Sequence, residues 1–261
     1  MEKSPVVVIT GASSGIGAAV AKAYDTRGAR LALLARRRDK LASLAKSCAN
    51  ATAITCDVDQ DDSVRDAFRE ALAVFGRIDV VIANAGISVP GTVERLSVSD
   101  FRRQFETNVI GAVRTAKAAI EPLRETRGRL GIVGSVNGYI SLPGFAAYGM
   151  SKFAVRALCD SLRGELKKDG VSVTHIAPGF VESEIRERAG RDPMPSWLVV
   201  KGEAAAKEIV DAMDRRRANA VITGHGRAFV KLQQRAPKLM DKLVLLSADR
   251  ILSSLDGFKE T

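Results

Sequence analysis

Short apolar runs that alternate with helical patterns restrict this chain to few folds. The first run, residues 6–9, is β-branched and ends at a glycine-rich turn. A helical stretch over 16–27 then leads to a second apolar run at 30–35. Continuous apolar runs of this length are typical of strands buried on both faces of a parallel sheet. Strand, helix and strand together predict one βαβ unit.

The same alternation continues through most of the chain. It predicts further strands at 51–55, 80–83, 131–134, 171–177 and 220–223, and helices at 39–48, 61–75, 99–125, 148–168 and 203–217. The predicted fold is a doubly wound, Rossmann-type α/β fold, with one parallel sheet flanked by helices. No Pro/Gly/Ser-rich linker divides the 261 residues, and one core can grow to roughly 250–300 residues. We therefore expect a single domain over 1–261.

The last part of the chain, residues 226–261, is predicted to be a helical extension. Leu239, Leu243 and Leu246 recur at helical spacing, and Ile251 and Leu255 follow, with Lys and Arg between them. This pattern favours a helix that packs on the sheet or on a second subunit. A helix lying on a membrane surface is the alternative.

Composition and charge narrow the class of protein. With 46% hydrophobic and 27% charged residues, the chain is neither disordered nor fibrous. Its net charge of +10 favours anionic partners such as nucleotides, acyl-carrier proteins, anionic lipids or nucleic acid. No helix-turn-helix or aromatic-basic array is present, so nucleic acid is not expected.

The remaining composition points to a cytoplasmic protein. The three cysteines are unpaired in spacing and the two histidines lack neighbouring ligands, so we expect neither disulfides nor a metal. The first residues lack a signal-peptide pattern, and no apolar run approaches the ~18 residues of a membrane span. Contact with a membrane is expected only peripherally, through the C-terminal helix.

A glycine-rich turn connects the first predicted strand to the first helix. Its spacing is G-x-x-x-G-x-G, with candidate cofactor contacts at Gly11, Ser13, Ser14, Gly15, Ile16 and Gly17. Backbone N–H groups of such a turn, together with the N-terminus of the helix, can receive a pyrophosphate. The position of the turn, more than its letters, predicts a dinucleotide site.

Three arginines at the end of the second predicted strand bear on whether the cofactor is NAD or NADP. Arg36, Arg37 and Arg38 lie about twenty residues after the glycine turn, where an acid would bind the NAD ribose and an arginine the NADP 2′-phosphate. Because guanidinium groups suit bidentate phosphate binding, we predict NADP (NADPH), with Arg36 and Arg37 as contacts. The alternative is that these arginines only coat an exposed turn.

Tyr148 and Lys152 are four residues apart on a predicted helix, so their side chains share one face. A neighbouring ammonium favours phenolate, and we expect it to lower the tyrosine pKa and allow proton transfer. Ser135 follows the run 131–134, at the carboxyl end of a strand, where doubly wound sheets bind ligands. Its hydroxyl can hold a substrate oxygen.

These motifs, taken in order, resemble the short-chain dehydrogenase/reductase family in its compact one-domain form. The resemblance runs from about Val6 to Ser183. It is carried by residues 10–17, Asp57-Val58, Asn84-Ala85-Gly86, Asn108, Ser135, Tyr148-Gly-Met-Ser-Lys152 and Pro178-Gly179.

The resemblance implies an active-site role for four residues. Tyr148 is the general acid in carbonyl reduction and the base in the reverse direction. Ser135 binds and polarises the substrate oxygen beside it. Lys152 lowers the tyrosine pKa and binds the nicotinamide ribose, and Asn108 holds a water that links Lys152 to solvent. Hydride comes from the cofactor.

Further cofactor contacts are implied in the same way. They are Asp57 and Val58 near the adenine, Asn84, Ala85 and Gly86 beside the ribose, and Pro178, Gly179, Val181 and Ser183 near the nicotinamide. The chain departs from the family pattern at Ser183, usually Thr, and at Ala83, often Asn. Residues 183–202 resemble the family's substrate lid.

Three functions remain open at this stage. The first is an NADP(H)-dependent oxidoreductase that interconverts a small-molecule carbonyl and an alcohol. The second is a 3-oxoacyl-thioester reductase of fatty-acid synthesis, and the third is a non-catalytic NADP-binding redox sensor. The resemblance also implies a homo-oligomer, a dimer or tetramer, assembled through the helices at 99–125 and 148–168.

Overall fold

The computed structural model describes residues 4–182, 198–253 and 255. Seven parallel strands form one sheet in the order β3-β2-β1-β4-β5-β6-β7. They are β1 (Val6–Thr10), β2 (Arg30–Ala35), β3 (Ala51–Thr55), β4 (Val80–Ala83), β5 (Arg129–Val133), β6 (Ser172–Pro178) and β7 (Asn219–Ile222). The predicted doubly wound α/β fold is confirmed.

Helices cover both faces of the sheet. Within the described residues they are α1 (Gly15–Asp25), α2 (Arg38–Lys46), α3 (Asp61–Phe75), α4 (Val98–Phe105), α5 (Gly111–Thr126), α6 (Ala146–Glu165), α7 (Gly202–Asp214), α8 (Gly224–Arg235) and α9 (Pro237–Ser253). One core cluster packs β-strand side chains such as Val8 against α3, α5 and α6, and a second packs neighbours such as Val7 against α1 and α7. Because both faces are buried, the strands are apolar without alternation.

The strand order reverses at β1, which lies between β2 and β4. Val7 pairs with Leu31 on one side and with Val80 on the other. From β1 the chain continues to β2 on one side, and from β4 it continues to β5 on the other. These opposite directions open a crevice at the edge of the sheet where the carboxyl ends of the strands lie. Every residue that follows a strand therefore reaches the same edge.

The prediction of one continuous helix over 99–125 is wrong at the centre of that range. A π-helical turn, Glu106–Ile110, separates α4 from α5. Asn108 lies in this turn, and its side chain is bonded to the main chain of Ile87. At the start of α5, Gly111 packs so closely on Val58 that a Cβ would lie 2.9 Å from Val58 Cγ2. The wider turn thus places Asn108 toward the crevice.

The C-terminal extension consists of two helices rather than one. Ala236 ends α8 and Pro237 begins α9, because proline lacks the N–H that would continue a helix but suits a first helical position. Val230 of α8 and Met240 of α9 pack with Val136 in a third core cluster. The extension therefore packs against the segment that follows β5, within its own chain.

No helix in the described ranges is long and apolar enough to cross a membrane.

Candidate active site

A cavity of about 330 Å³ occupies the crevice at the carboxyl edge of the sheet. It brings together residues that are far apart in the sequence, as the strand order requires. The sequence-predicted residues that line it are Gly11, Ser13, Ser14, Gly15, Ile16, Arg36, Arg37, Asp57, Val58, Asn84, Ala85, Gly86, Ser135, Tyr148, Lys152, Pro178, Gly179 and Val181. Gly17 and Asn108 support the wall from behind it, and Ser183 lies outside the described residues.

The glycine turn is held against the end of β4. Asn84 Nδ2 donates to the carbonyl oxygens of Thr10 and Gly11, at 3.0 and 3.2 Å. Gly11 has φ +66°, and a Cβ there would lie 2.8 Å from Ala85 Cα. Glycine is therefore required at this position by both conformation and space.

The N-terminus of α1 opens into the cavity. Its N-cap, Ser14, makes no capping hydrogen bond with its side chain, so the N–H groups of the first turn have no partner from the cap. Gly15 and Ile16 of this turn line the cavity. Free N–H groups and the positive end of the helix dipole fit a pyrophosphate.

Of the three arginines, Arg37 reaches the glycine turn. Its guanidinium donates to Ser13 Oγ at 3.0 Å and to Ser14 Oγ at 2.5 Å. Arg36 also lines the cavity but is exposed, with its guanidinium 3.9 Å from Asp57 Oδ1. The cation nearest to the glycine turn is therefore Arg37, a distinction that the sequence does not make.

Tyr148, Ser135 and Lys152 meet in the half of the cavity near β5. The hydroxyls of Tyr148 and Ser135 both face the cavity and lie close enough to interact. Lys152 Nζ lies 5.5 Å from the centre of the Tyr148 ring and donates to the Val133 carbonyl oxygen at 2.9 Å. Since Val133 ends β5 and Lys152 belongs to α6, this bond fixes the helix relative to the strand.

Burial controls the protonation of this group. It raises the pKa of Tyr148 above its ordinary value, although the interaction with Ser135 acts in the opposite direction. It lowers the pKa of Lys152 to about 8. Desolvation of the phenolate is the largest influence on the Tyr148 pKa, and the lowering of that pKa by Lys152 stays a prediction. Near neutral pH the group consists of a phenol and an ammonium.

Asn108 is bonded entirely to protein atoms through its side-chain amide. Nδ2 donates to the carbonyl oxygen of Ile87 and to Ser151 Oγ, each at 2.9 Å, and Oδ1 accepts from the Ile87 N–H at 2.8 Å. Both amide hydrogens are thus used. The Oδ1 atom keeps one lone pair, which a water could use.

The segment that follows β6 closes the cavity near Tyr148. Pro178, Gly179 and Val181 all line it. Val181 forms a parallel bridge with Val200, and Val200 N donates to the Phe180 oxygen at 2.9 Å. The two ends of the predicted lid are thus tied together, while residues 183–197 lie outside the described ranges.

Several lining residues were not predicted from the sequence. Apolar side chains complete the wall near Tyr148, from Leu142, Phe145, Phe180, Ile251 and Leu255. The helical spacing of Ile251 and Leu255 was visible, but nothing in the sequence relates α9 to Tyr148. Thr10 belongs to the motif quoted from the sequence, but its role was not predicted: its Oγ1 accepts from the N–H groups of Asn84 and Ala85 and joins the ends of β1 and β4.

Two buried cysteines, one of which lines the cavity, are held as thiols. Burial raises the pKa of Cys56 to about 11 and that of Cys159 to about 12, so both are protonated near neutral pH. Across the part of the chain that the structure describes, no group of His, Cys, Asp and Glu side chains is arranged to hold a metal ion.

Two curated proteins show what the chain is similar to. Dehydrogenase/reductase SDR family member 7B of Bos taurus is 31% identical, over 93% of this chain and 81% of that protein. The 3-ketodihydrosphingosine reductase of Bos taurus is 35% identical, over 84% of this chain and 71% of that protein.

Solved structures show the same architecture. An alcohol dehydrogenase from the archaeon Thermococcus sibiricus, complexed with 5-hydroxy-NADP, has a TM-score of 0.75 and 28% identity, covering 84% of this chain and 96% of that one. A short chain dehydrogenase/reductase from Burkholderia phymatum, in complex with NAD, has a TM-score of 0.81 and 24% identity, covering 91% and 95%.

A family model, described as short chain dehydrogenase, matches residues 5–193. This range contains the glycine turn, Ser135, Tyr148 and Lys152. The chain therefore belongs to the short-chain dehydrogenase/reductase family of oxidoreductases.

Proposed function

We propose that this enzyme uses NADP(H) to interconvert a ketone or aldehyde and the corresponding alcohol. The observation that carries the proposal is the shared cavity, in which the half-buried Tyr148 and Ser135 line one end and a helix N-terminus with Arg37 beside it lines the other. A bound nicotinamide cofactor supplies the hydride. The protein supplies binding groups, orientation and a proton.

The residues present are suited to hold the cofactor. The first turn of α1 offers free N–H groups to a pyrophosphate, and Asp57 and Val58 line the cavity beyond Arg36. Lys152, Gly86 and Gly179 surround the opposite end. Ser183 is a further proposed contact of the nicotinamide, and this proposal is based only on the family resemblance.

Proton transfer is assigned to Tyr148. Because its pKa is raised by burial, the phenol is protonated near neutral pH and can donate to a carbonyl oxygen held by the Ser135 hydroxyl. In the alcohol-to-carbonyl direction the same oxygen must accept a proton, which higher pH favours. The Lys152 ammonium stabilises the negative charge that develops on Tyr148.

The preference for NADP rests on Arg37 and Arg36. Arg37 spans the Ser13 and Ser14 hydroxyls, and Arg36 lies on the same side of the cavity. Two guanidinium groups there favour a phosphate over an unsubstituted ribose. Solved relatives occur with either nucleotide, 5-hydroxy-NADP in the Thermococcus sibiricus enzyme and NAD in the Burkholderia phymatum one, so the proposed preference rests on the two arginines.

Two alternatives are retained. A 3-oxoacyl-thioester reductase would use the same Tyr148 chemistry, and the 3-ketodihydrosphingosine reductase relative shows a named keto substrate within the family. A non-catalytic NADP-binding redox sensor would need none of the Tyr148–Ser135–Lys152 group. Any turnover would distinguish either enzyme from the sensor. Comparing rates with 3-oxoacyl thioesters and with simple ketones and aldehydes would distinguish the two enzymes from each other.

We further propose one domain over 1–261, a homo-oligomeric state and a location in the reducing cytoplasm. The exposed apolar residues Ile110, Met150 and Phe153 support a subunit contact through the helices around α4, α5 and α6. The outer face of α9 is a second contact surface, for another subunit or a membrane. Sedimentation and liposome binding, with and without residues 232–261, distinguish these roles.

The first experiment is NADPH oxidation by the purified enzyme with aldehydes, ketones, quinones and 3-oxoacyl thioesters. Tyr148→Phe should reduce turnover by a factor of about 10² to 10⁴ while leaving NADPH affinity near that of the parent enzyme. The matched control is Tyr24→Phe, since the Tyr24 hydroxyl has no hydrogen-bond partner within the described residues. Substantial turnover in Tyr148→Phe would refute the assignment.

A further inference from the structure

We infer that the C-terminal end of α9 and the turn after it determine substrate specificity: Ile251 of α9 and Leu255, two residues beyond Ser253, form an apolar wall of the substrate cavity and select carbonyl compounds that carry an apolar chain. The inference rests on the proposed function for the identity of the reacting group. It concerns the part of the substrate that does not react.

The inner face of α9 and the turn after the helix, which carries Leu255, are buried against the cavity. Ile251 and Leu255 line it and are only 2% and 5% exposed. On the outer face of the same helix, Leu245 and Leu246 are 73% and 74% exposed. The inward side chains are therefore placed by packing, and no charged residue of α9 lines the cavity in its described part.

The wall is continuous with the segment that precedes the catalytic helix α6. A Cβ on Gly144 would overlap Leu255 Cδ1 and would lie 3.6 Å from Leu252 Cδ2. On its other side the segment is bonded to Gly91, whose N–H donates to the Gly144 oxygen at 2.8 Å. Leu255 therefore packs against a main-chain segment that is itself held in place by a hydrogen bond.

Two more side chains extend this surface toward the reacting group. Leu142 and Phe145 belong to the same segment, and both line the cavity with Tyr148. A carbonyl oxygen bound by Ser135 and Tyr148 is thus followed by apolar surface from Leu142, Phe145 and α9. A polar substituent of the substrate that lies against this apolar surface would lose its hydration without gaining a hydrogen bond from the protein.

The extension is anchored independently of these contacts. Val230 of α8 and Met240 of α9 pack with Ile140. Shortening a side chain near residue 251 or 255 removes part of the wall and leaves this anchor in place. The wall can therefore be tested by small substitutions in the full-length enzyme.

The test uses straight-chain 2-alkanones, from 2-butanone to 2-decanone, with NADPH. Burial of each added methylene should raise kcat/KM by about fourfold until the wall is filled. Leu255→Ala and Ile251→Ala should reduce kcat/KM for 2-decanone by tenfold or more and for 2-butanone by less than twofold. Leu246→Ala, on the outer face of α9, is the matched control and should change neither.

A binding measurement makes the result independent of turnover. The fluorescent probe N-phenyl-1-naphthylamine is titrated into the protein loaded with NADP⁺, which cannot reduce a ketone, with 2-decanone as competitor. Both affinities should fall in Leu255→Ala and Ile251→Ala and stay unchanged in Leu246→Ala. If no alkanone is reduced but this pattern holds, the proposed reaction fails and the apolar wall stands.

The opposite pattern overturns the inference. If the inner-face variants and Leu246→Ala share the same chain-length dependence and the same probe and alkanone affinities, α9 does not select the substrate, whatever the turnover. Ile251→Val, which removes one methyl group, replaces Ile251→Ala if the larger truncation unfolds the protein. It should give a smaller loss of the same sign.

Discussion

The ammonium of Lys152 donates a hydrogen bond to the main-chain oxygen of Val133, 2.9 Å away. Lys152 is 4% exposed, so its charge is shielded from water, and burial lowers its pKa to about 8. The lysine is thereby held beside Tyr148 by a bond that weakens when the ammonium loses its proton.

Carbonyl reduction should decline as pH rises through about 8. Below this pH Lys152 carries its charge, and above it the charge that stabilises Tyr148 is lost. The measurement is a profile of kcat/KM from pH 6 to 10 with NADPH and the best carbonyl of the panel. In Lys152→Arg, whose guanidinium stays charged, the residual activity should lose this decline. An unchanged decline in Lys152→Arg would assign it to another group.

Arg37→Ala should weaken NADPH binding by about 10- to 100-fold, since hydrogen bonds to charged groups contribute about 1.5–3 kcal/mol. NADH binding should change by less than twofold, because NADH lacks the 2′-phosphate. Fluorescence titration with both nucleotides measures the ratio. Arg38→Ala is the matched control, since Arg38 begins α2 and does not line the cavity. Equal losses for both nucleotides would argue against phosphate binding.

His175 should destabilise the protein at acid pH. It is fully buried, and desolvation lowers its pKa to about 4 from an ordinary 6.5. Between these values the unfolded chain binds a proton that the folded chain does not, so the free energy of unfolding falls as pH falls. The full effect is on the order of 3 kcal/mol.

Urea denaturation of the parent protein and His175→Gln checks this effect. The variant costs stability at pH 7, but its deficit should shrink as pH falls from about 6.5 toward 4. A deficit that is constant with pH would show that His175 titrates normally.

Gly17→Ala should destabilise the protein, although Ala normally stabilises a helix by about 1 kcal/mol relative to Gly. In α1 the added Cβ would lie 2.5 Å from both Asn84 Nδ2 and the Gly11 oxygen. NADPH affinity should fall as well, because the glycine turn must shift. Gly164→Ala in α6, where no atom of the described residues outside the local helix backbone lies within 4 Å of the added Cβ, should be neutral or stabilising. Thermal unfolding of both variants tests the reversal of sign.

The sequence predicted the sheet well because its strands are buried on both faces and therefore lack polar interruptions. It missed the π-helical turn at Asn108, since that turn depends on bonds to Ile87, distant in the sequence. It also missed the break before Pro237, where a local signal was present. Proline at that position marks the start of a helix as readily as the end of one.

The site was predictable where a residue type carries the chemistry, as for Tyr148 and Lys152. It was not predictable where a side chain contributes only shape. Ile251 and Leu255 have the helical spacing of any packed helix, and their place in the cavity depends on how α9 meets Gly144. Similarly, the sequence alone does not distinguish Arg36 from Arg37, because they are adjacent residues of the same type. Only the fold directs Arg37 to Ser13 and Ser14.

The bridge between Val181 and Val200 has a consequence for how such an enzyme can change over evolution. Main-chain bonds join the two strand-like ends, from Glu182 N to the Val200 oxygen and from Val200 N to the Phe180 oxygen. Neither bond uses a side chain, so the intervening segment can be lengthened, shortened or exchanged without altering its points of attachment. The bridge thus gives the chain between Glu182 and Val200 two points of attachment whose geometry is set by main-chain bonds alone.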